Sequence, residues 1–146
     1  MIQEQVDAAL KIYENNIDCI GVGYIHINGN RLSDIEKVTR SSPLDPNDYN
    51  NILSHCLASQ YFGHKFIYLE AGSGATQPIE INLFKHLIDN ISSPIIIGGG
   101  ITSYKIARMY ARSGAKIIVI GNLLETNISI QETTKITSAI HYNNNY

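Results

Sequence analysis

Four short apolar runs, "CIGVGYIHI" (Cys19–Ile27), "KFIYLEA" (Lys65–Ala71), "PIIIG" (Pro94–Gly98) and "KIIVIG" (Lys116–Gly121), recur along this chain, and each gives way to polar or glycine-rich residues. They are rich in β-branched residues and too short for buried helices, so they read as strands. Segments of helical period lie between them. "IQEQVDAALKIYENN" sets Ile2, Val6, Ala9, Leu10 and Tyr13 on one helical face. Asp48 is placed to cap a helix reaching about Phe62, with Ile52, Leu53, Cys56 and Leu57 on its apolar side. "IEINLFKHLIDN", "GGITSYKIARMYARSG" up to Gly114, and Ile130–Ile140 supply the other helices, the last reached through "NLLETN". The stretch between Arg31 and Asp48, with "RSSPLDPND", reads as a polar connector. Continuous apolar strands alternating with helices point to an α/β fold with a parallel sheet buried between helices. A doubly wound sheet and a (β/α)8 barrel are both compatible with that pattern.

At 146 residues, the chain is read as one domain, with residues 1–16 as a leading helix and 141–146 as a frayed tail. Hydrophobic residues make up 44% and charged residues 16%, a globular balance. The net charge of -2, without a basic block, argues against a nucleic-acid partner. Cys19 and Cys56 lack metal or redox spacing and read as reduced thiols. "MIQEQVDAALK" lacks the basic start and apolar core of a signal peptide, and no apolar run reaches the ~18 residues of a membrane span. A cytoplasmic location without a transmembrane segment is the expectation.

Three strand ends carry chemistry: "EAGSG" (Glu70–Gly74), "GGGI" (Gly98–Ile101) and "GN" (Gly121–Asn122). Each alone could be a tight turn. Together, at the carboxyl ends of adjacent parallel strands, they would aim bare backbone amides at one point, where such folds bind ligands. Glycine admits close approach to the main chain, and the helix after "GGGI" offers its positive end, so a phosphate is expected. "GVG" (Gly21–Gly23) lacks the third glycine of a dinucleotide fingerprint, and "GGGITS" lacks the lysine of a nucleotide-binding loop.

Glu70 is the candidate acid or base, able to bind hydroxyls or take a proton from one. Tyr68 is two residues earlier and shares its face of the strand, whereas Leu69 turns toward the helices. Ser73 can offer a hydroxyl to the phosphate but lacks the elbow context of a nucleophile. His26, His55, His64 and His86 have no ligand spacing, and Asp45 and Asp48 lie in the connector.

"YLEAGSGA", "IIIGGGI" and "IVIGN", in that order and spacing, resemble the geranylgeranylglyceryl phosphate synthase (PcrB-like) family, and "GVGYIHINGN" is similar to that family's fifth strand. The resemblance covers the chain from about Ile17 to Asn127. It implies the C-terminal four βα units, strands 5–8, of a (β/α)8 barrel. It also implies prenyl transfer: the hydroxyl of sn-glycerol 1-phosphate joined to a polyprenyl diphosphate, with release of diphosphate and with Mg2+ as cofactor. By the same resemblance, Tyr68, Leu69, Glu70, Ala71, Gly72, Ser73 and Gly74 cradle glycerol phosphate. Gly99, Gly100, Gly121 and Asn122 then donate to its phosphate, and Glu70, with Tyr68, is the catalytic candidate. The acid-rich strand that carries the metal in the family has no counterpart in this sequence.

Half a barrel would leave the edges of its outer strands open and expose inward side chains such as Tyr24, Ile97 and Val119. Self-association, as a homo-oligomer, is therefore expected. Two other functions remain open: a non-catalytic phosphate-binding half barrel, truncated or a pseudoenzyme, and another phosphate-binding barrel enzyme, whose sixth strand would not read "YLEAGSG".

Overall fold

The computed structural model describes residues 3–31, 41–125 and 129–141, apart from the side chains of Glu4 and Asn122. The middle of the expected connector (32–40), Ile2, residues 126–128 and the tail beyond His141 lie outside the described residues. In chain order the elements are α1 (Gln3–Glu14), β1 (Val22–His26), α2 (Tyr49–Tyr61), β2 (Phe66–Glu70), α3 (Ile81–Asn90), β3 (Ile95–Gly98), α4 (Tyr104–Arg112), β4 (Ile117–Val119), a short α5 (Asn122–Glu125) and α6 (Ile130–Ile140). The strands form one sheet in the order β1-β2-β3-β4, with every pairing parallel.

The helices start where side-chain caps allow. Asp48 accepts a hydrogen bond from the Asn51 N–H at 3.0 Å, as its position in the sequence suggests. Glu80, Ser103 and Ser129 do the same for α3, α4 and α6. At the amino end of the sheet the Gln60 side-chain oxygen gathers donors from Ser92 and Ser93, the backbone N–H groups at 2.9 and 3.1 Å. Beside it Gly23 is obligatory, since a Cβ there would lie 1.6 Å from the Ser59 Oγ. The absence of a side chain lets α2 press against β1.

Alternation along the strands sorts the residues onto two faces. Ile25, Ile67, Leu69, Ile95 and Ile97 turn toward the helices and are buried against Ile52, Cys56, Leu83, Phe84, Leu87, Ala107 and Tyr110. The Phe84 and Tyr110 rings meet edge to face at 5.3 Å, and the Tyr110 hydroxyl donates to the Ile79 carbonyl. On the other face Val22, Tyr24, Ile117 and Val119 remain 39%, 44%, 44% and 39% exposed. The expectation for Tyr24 and Val119 therefore holds, but Ile97 belongs to the opposite face. Its register partners are Leu69 and Ile118, and Leu69, like Ile97, lies in the core. The inward residue of β3 is Ile96, paired with Tyr68 and Ile117.

The leading helix forms, with Val6, Leu10 and Tyr13 exposed rather than packed. Among the described residues no helix is long and apolar enough to cross a membrane.

Candidate functional site

All the strand-to-helix loops leave from the carboxyl edge of a parallel sheet, so the three glycine-bearing ends meet there. Between them lies a cleft of about 320 Å³, lined by Tyr68, Glu70, Ser73 and Gly74 from the β2 loop, Gly99 and Gly100 from the β3 loop, and Gly121 after β4. A larger hollow of about 450 Å³ runs between α4 and α6 past Tyr104, Arg108 and Lys135, but no strand end reaches it.

Glu70 is the fixed point of the cleft. It is 8% exposed at the end of β2. Its Oε1 accepts the Gly72 N–H at 2.8 Å, and its Oε2 accepts the Tyr68 hydroxyl. Each carboxylate oxygen keeps a lone pair for a further donor, so the carboxyl is oriented but not saturated. Tyr68 is held as the donor. Burial first, and then its hydrogen bond to Glu70, push its pKa well above the usual tyrosine value. Burial likewise raises that of Tyr24, whose ring meets Tyr68 at 79° and 5.2 Å. With both phenols held as proton carriers, the carboxyl is the group among these neighbours with the chemistry of a proton acceptor.

The glycines around Glu70 are dictated by space. Gly99 sits at φ +82°, and a Cβ on it would lie 2.6 Å from the Glu70 Oε1 and 2.8 Å from the Ala71 nitrogen. A Cβ on Gly98 would lie 2.6 Å from the Tyr68 hydroxyl. These glycines thus seat the Tyr68–Glu70 pair. Gly121 differs: the nearest group a Cβ would meet is Glu125, at 3.9 Å, so its surface stays open to the cleft.

The structure brings Tyr68, Glu70, Ser73, Gly74, Gly99, Gly100 and Gly121 together. Leu69 and Ala71 are core residues, and Gly72 is buried beneath the loop as a donor to Glu70. The Asn122 backbone opens α5, and its side chain lies outside the described residues. The helix after "GGGI" begins only at Tyr104, with Ser103 capping it, so Thr102 rather than the helix end lines the cleft. Ala75, Ile101, Thr102, Val119, Ile120 and Leu123 complete the lining. Most of them flank the glycine motifs, and that proximity is the signal by which they could be found in the sequence. Among the described residues no group of three or more His, Cys, Asp or Glu side chains could hold a metal ion. The described residues thus offer no ready-made cage of protein ligands for a metal ion.

A parallel α/β sheet whose carboxyl-end loops close on a buried carboxyl and bare glycine backbone defines a small-ligand site of the kind found in α/β enzymes. The PcrB family model matches residues 1–140, and the chain belongs to that family. The geranylgeranylglyceryl phosphate synthase of Flavobacterium johnsoniae is 33% identical over 127 residues, covering 87% of this chain and 52% of its own length. That of Chitinophaga pinensis is 30% identical over 142 residues, covering 97% and 55%. Among solved structures, (S)-3-O-geranylgeranylglyceryl phosphate synthase from Thermoplasma acidophilum, in complex with substrate sn-glycerol-1-phosphate, superposes with a TM-score of 0.86 at 28% identity, covering 95% of this chain and 56% of that one. The chain thus spans about half the length of the curated relatives it matches.

Proposed function

We propose that the cleft holds sn-glycerol 1-phosphate and serves prenyl transfer, with this chain carrying the glycerol-phosphate half of a (β/α)8 barrel. The observation that carries the reading is the Glu70 carboxyl, held by Gly72 and Tyr68 over a glycine-lined cleft. Likeness to a synthase in complex with sn-glycerol-1-phosphate supports it.

In the reaction, a glycerol hydroxyl oxygen forms a bond to the allylic carbon of the polyprenyl diphosphate. The bond from that carbon to the diphosphate oxygen breaks, and the hydroxyl proton passes to Glu70. Glu70 also orients the hydroxyls, while the backbone of Gly99, Gly100, Gly121 and Asn122 receives the phosphate. Positioning is the main contribution of these loops. Mg2+ remains an expectation of the family resemblance, to be met by residues other than those described, and no step is assigned through it.

The uncovered sheet face is read as the seat of a complementary set of βα units, because the relatives are about twice as long as the matched region. Pairing of two copies of this chain, giving a homo-oligomer in the cytoplasm, is the competing occupant. A second function, phosphate binding without turnover, is the alternative reading of the same glycine-lined cleft.

Calorimetry with sn-glycerol 1-phosphate tests the site. Wild-type chain should bind, and Glu70→Gln should bind roughly 10- to 100-fold more weakly, through loss of charge-assisted hydrogen bonds. Labelled prenyl transfer should appear when a complementary half is supplied, and the same substitution should depress it. Equal binding by Glu70→Gln removes that residue from the site, and binding without turnover in the completed barrel selects the second reading.

A further inference from the structure

Within the cleft the one charged side chain among the described lining residues is Glu70. A phosphate brought into that space meets a carboxyl and no lysine or arginine, an unfavourable balance unless a cation stands close by. Such a cation is present in the loop after β1, which the sequence reading left without a role.

That loop is clasped to the glycine loop. The Gly29 carbonyl accepts the Thr76 N–H at 3.1 Å, and Asn30, at φ +61°, donates its N–H to the Asn28 Oδ1 at 2.8 Å. A Cβ on Gly29 would lie 2.2 Å from the Ala71 carbonyl oxygen, so only glycine permits this approach. The next residue, Arg31, reaches over and donates from Nη1 to the Gly74 carbonyl at 3.3 Å. Its guanidinium lies against the open side of Gly74: the position of a Cβ there is 2.5 Å from Nη1 and 3.0 Å from Cζ. Gly74 itself lines the cleft.

We infer that Arg31 is a further ligand-binding residue of this site, supplying the cationic charge that its phosphate requires. One N–H of the guanidinium fixes the glycine loop at Gly74. Its charge, carried on a side chain with five donors, offsets Glu70 and favours a phosphate held by that loop. The inference rests on the proposal that the cleft takes glycerol phosphate, and it adds a residue from a strand loop outside the three glycine motifs.

Titration calorimetry with sn-glycerol 1-phosphate on the full chain, at low ionic strength and at ~0.5 M salt, separates charge from clasp. Arg31→Met should weaken binding about five- to tenfold at low salt, and the difference should shrink toward none at high salt. Arg31→Lys should restore most of the affinity, and the melting temperature of all three proteins should agree, since Arg31 is exposed. Equal affinity of wild type and Arg31→Met at low salt overturns the inference. So does a loss of the same size at both salt concentrations, because a neutral clasp to a carbonyl is nearly insensitive to screening. Wild-type chain that fails to bind overturns the cleft reading as well, whereas a loss seen for Glu70→Gln but not for Arg31→Met removes Arg31 alone.

Discussion

On the helix side of the sheet, Ile67, Leu69, Ile95 and Ile97 are fully or almost fully buried. On the opposite side, Val22, Tyr24, Ile117 and Val119 keep about two-fifths of their surface open. Both sets are apolar and belong to one sheet, the buried set on the central strands β2 and β3 and the open set on the edge strands β1 and β4, on opposite faces. The strand alternation assigns a residue to a face, and what stands over that face determines whether it contributes to stability. The helix-covered face holds the fold together. The open face carries Tyr68 and Glu70, and its apolar remainder is partly exposed.

The largest test of this difference is a pair of truncations. Leu69→Ala should destabilise the chain by ~2–5 kcal/mol in urea unfolding, through lost burial and the cavity left behind. Val119→Ala, on the open face, should cost ~0.5 kcal/mol or less in the same measurement. With a complementary half bound, the cost of Val119→Ala should rise toward core values. Equal costs in the isolated chain would break the comparison.

A smaller contrast separates two glycines at the rim of the open face. Gly99→Val forces a side chain into Glu70 and Ala71 at a positive φ, and should disturb the loop as well as binding. Gly121→Val meets no close neighbour, so it should lower glycerol-phosphate affinity while leaving the melting temperature nearly unchanged. Calorimetry and thermal melting of both variants check this ordering.

The smallest effect appears on raising pH. Tyr110 and Cys56 lie on the covered face, and burial raises the pKa of both, that of Cys56 to about 12. A pKa raised in the folded state means that the unfolded chain loses its proton first. The stabilisation is therefore complete below the unfolded values, ~8.5 for the thiol and ~10 for the phenol, and fades as pH climbs above them. Melting temperatures should fall from about pH 9 upward, and less steeply in Cys56→Ala than in wild type once the loss at neutral pH is subtracted.

The fold was largely legible because strand and helix periods are local signals. The four runs became strands, Asp48 capped its helix, and Ile130–Ile140 formed as read. The meeting of Glu70 with the glycines was legible from parallel topology. Other features depend on contacts distant in sequence. The side of the sheet that Ile97 would face required the register of β3, and the exposure of Val6 and Leu10 required knowing what packs on α1. Arg31 gave no sequence signal, since its bond to Gly74 spans 43 positions.

The clasp formed by Gln60 has a consequence for the timing of motion. One side-chain oxygen holds both Ser92 and Ser93 at the amino edge of the sheet, between the end of α3 and the start of β3. Gln60 lies in the last turn of α2, so its oxygen ties the turn before β3 to that helix, and the Ser92 and Ser93 amides are released when that contact opens. That contact lies at the amino edge of the sheet, opposite the cleft, so a rearrangement of the cleft loops does not require it to break.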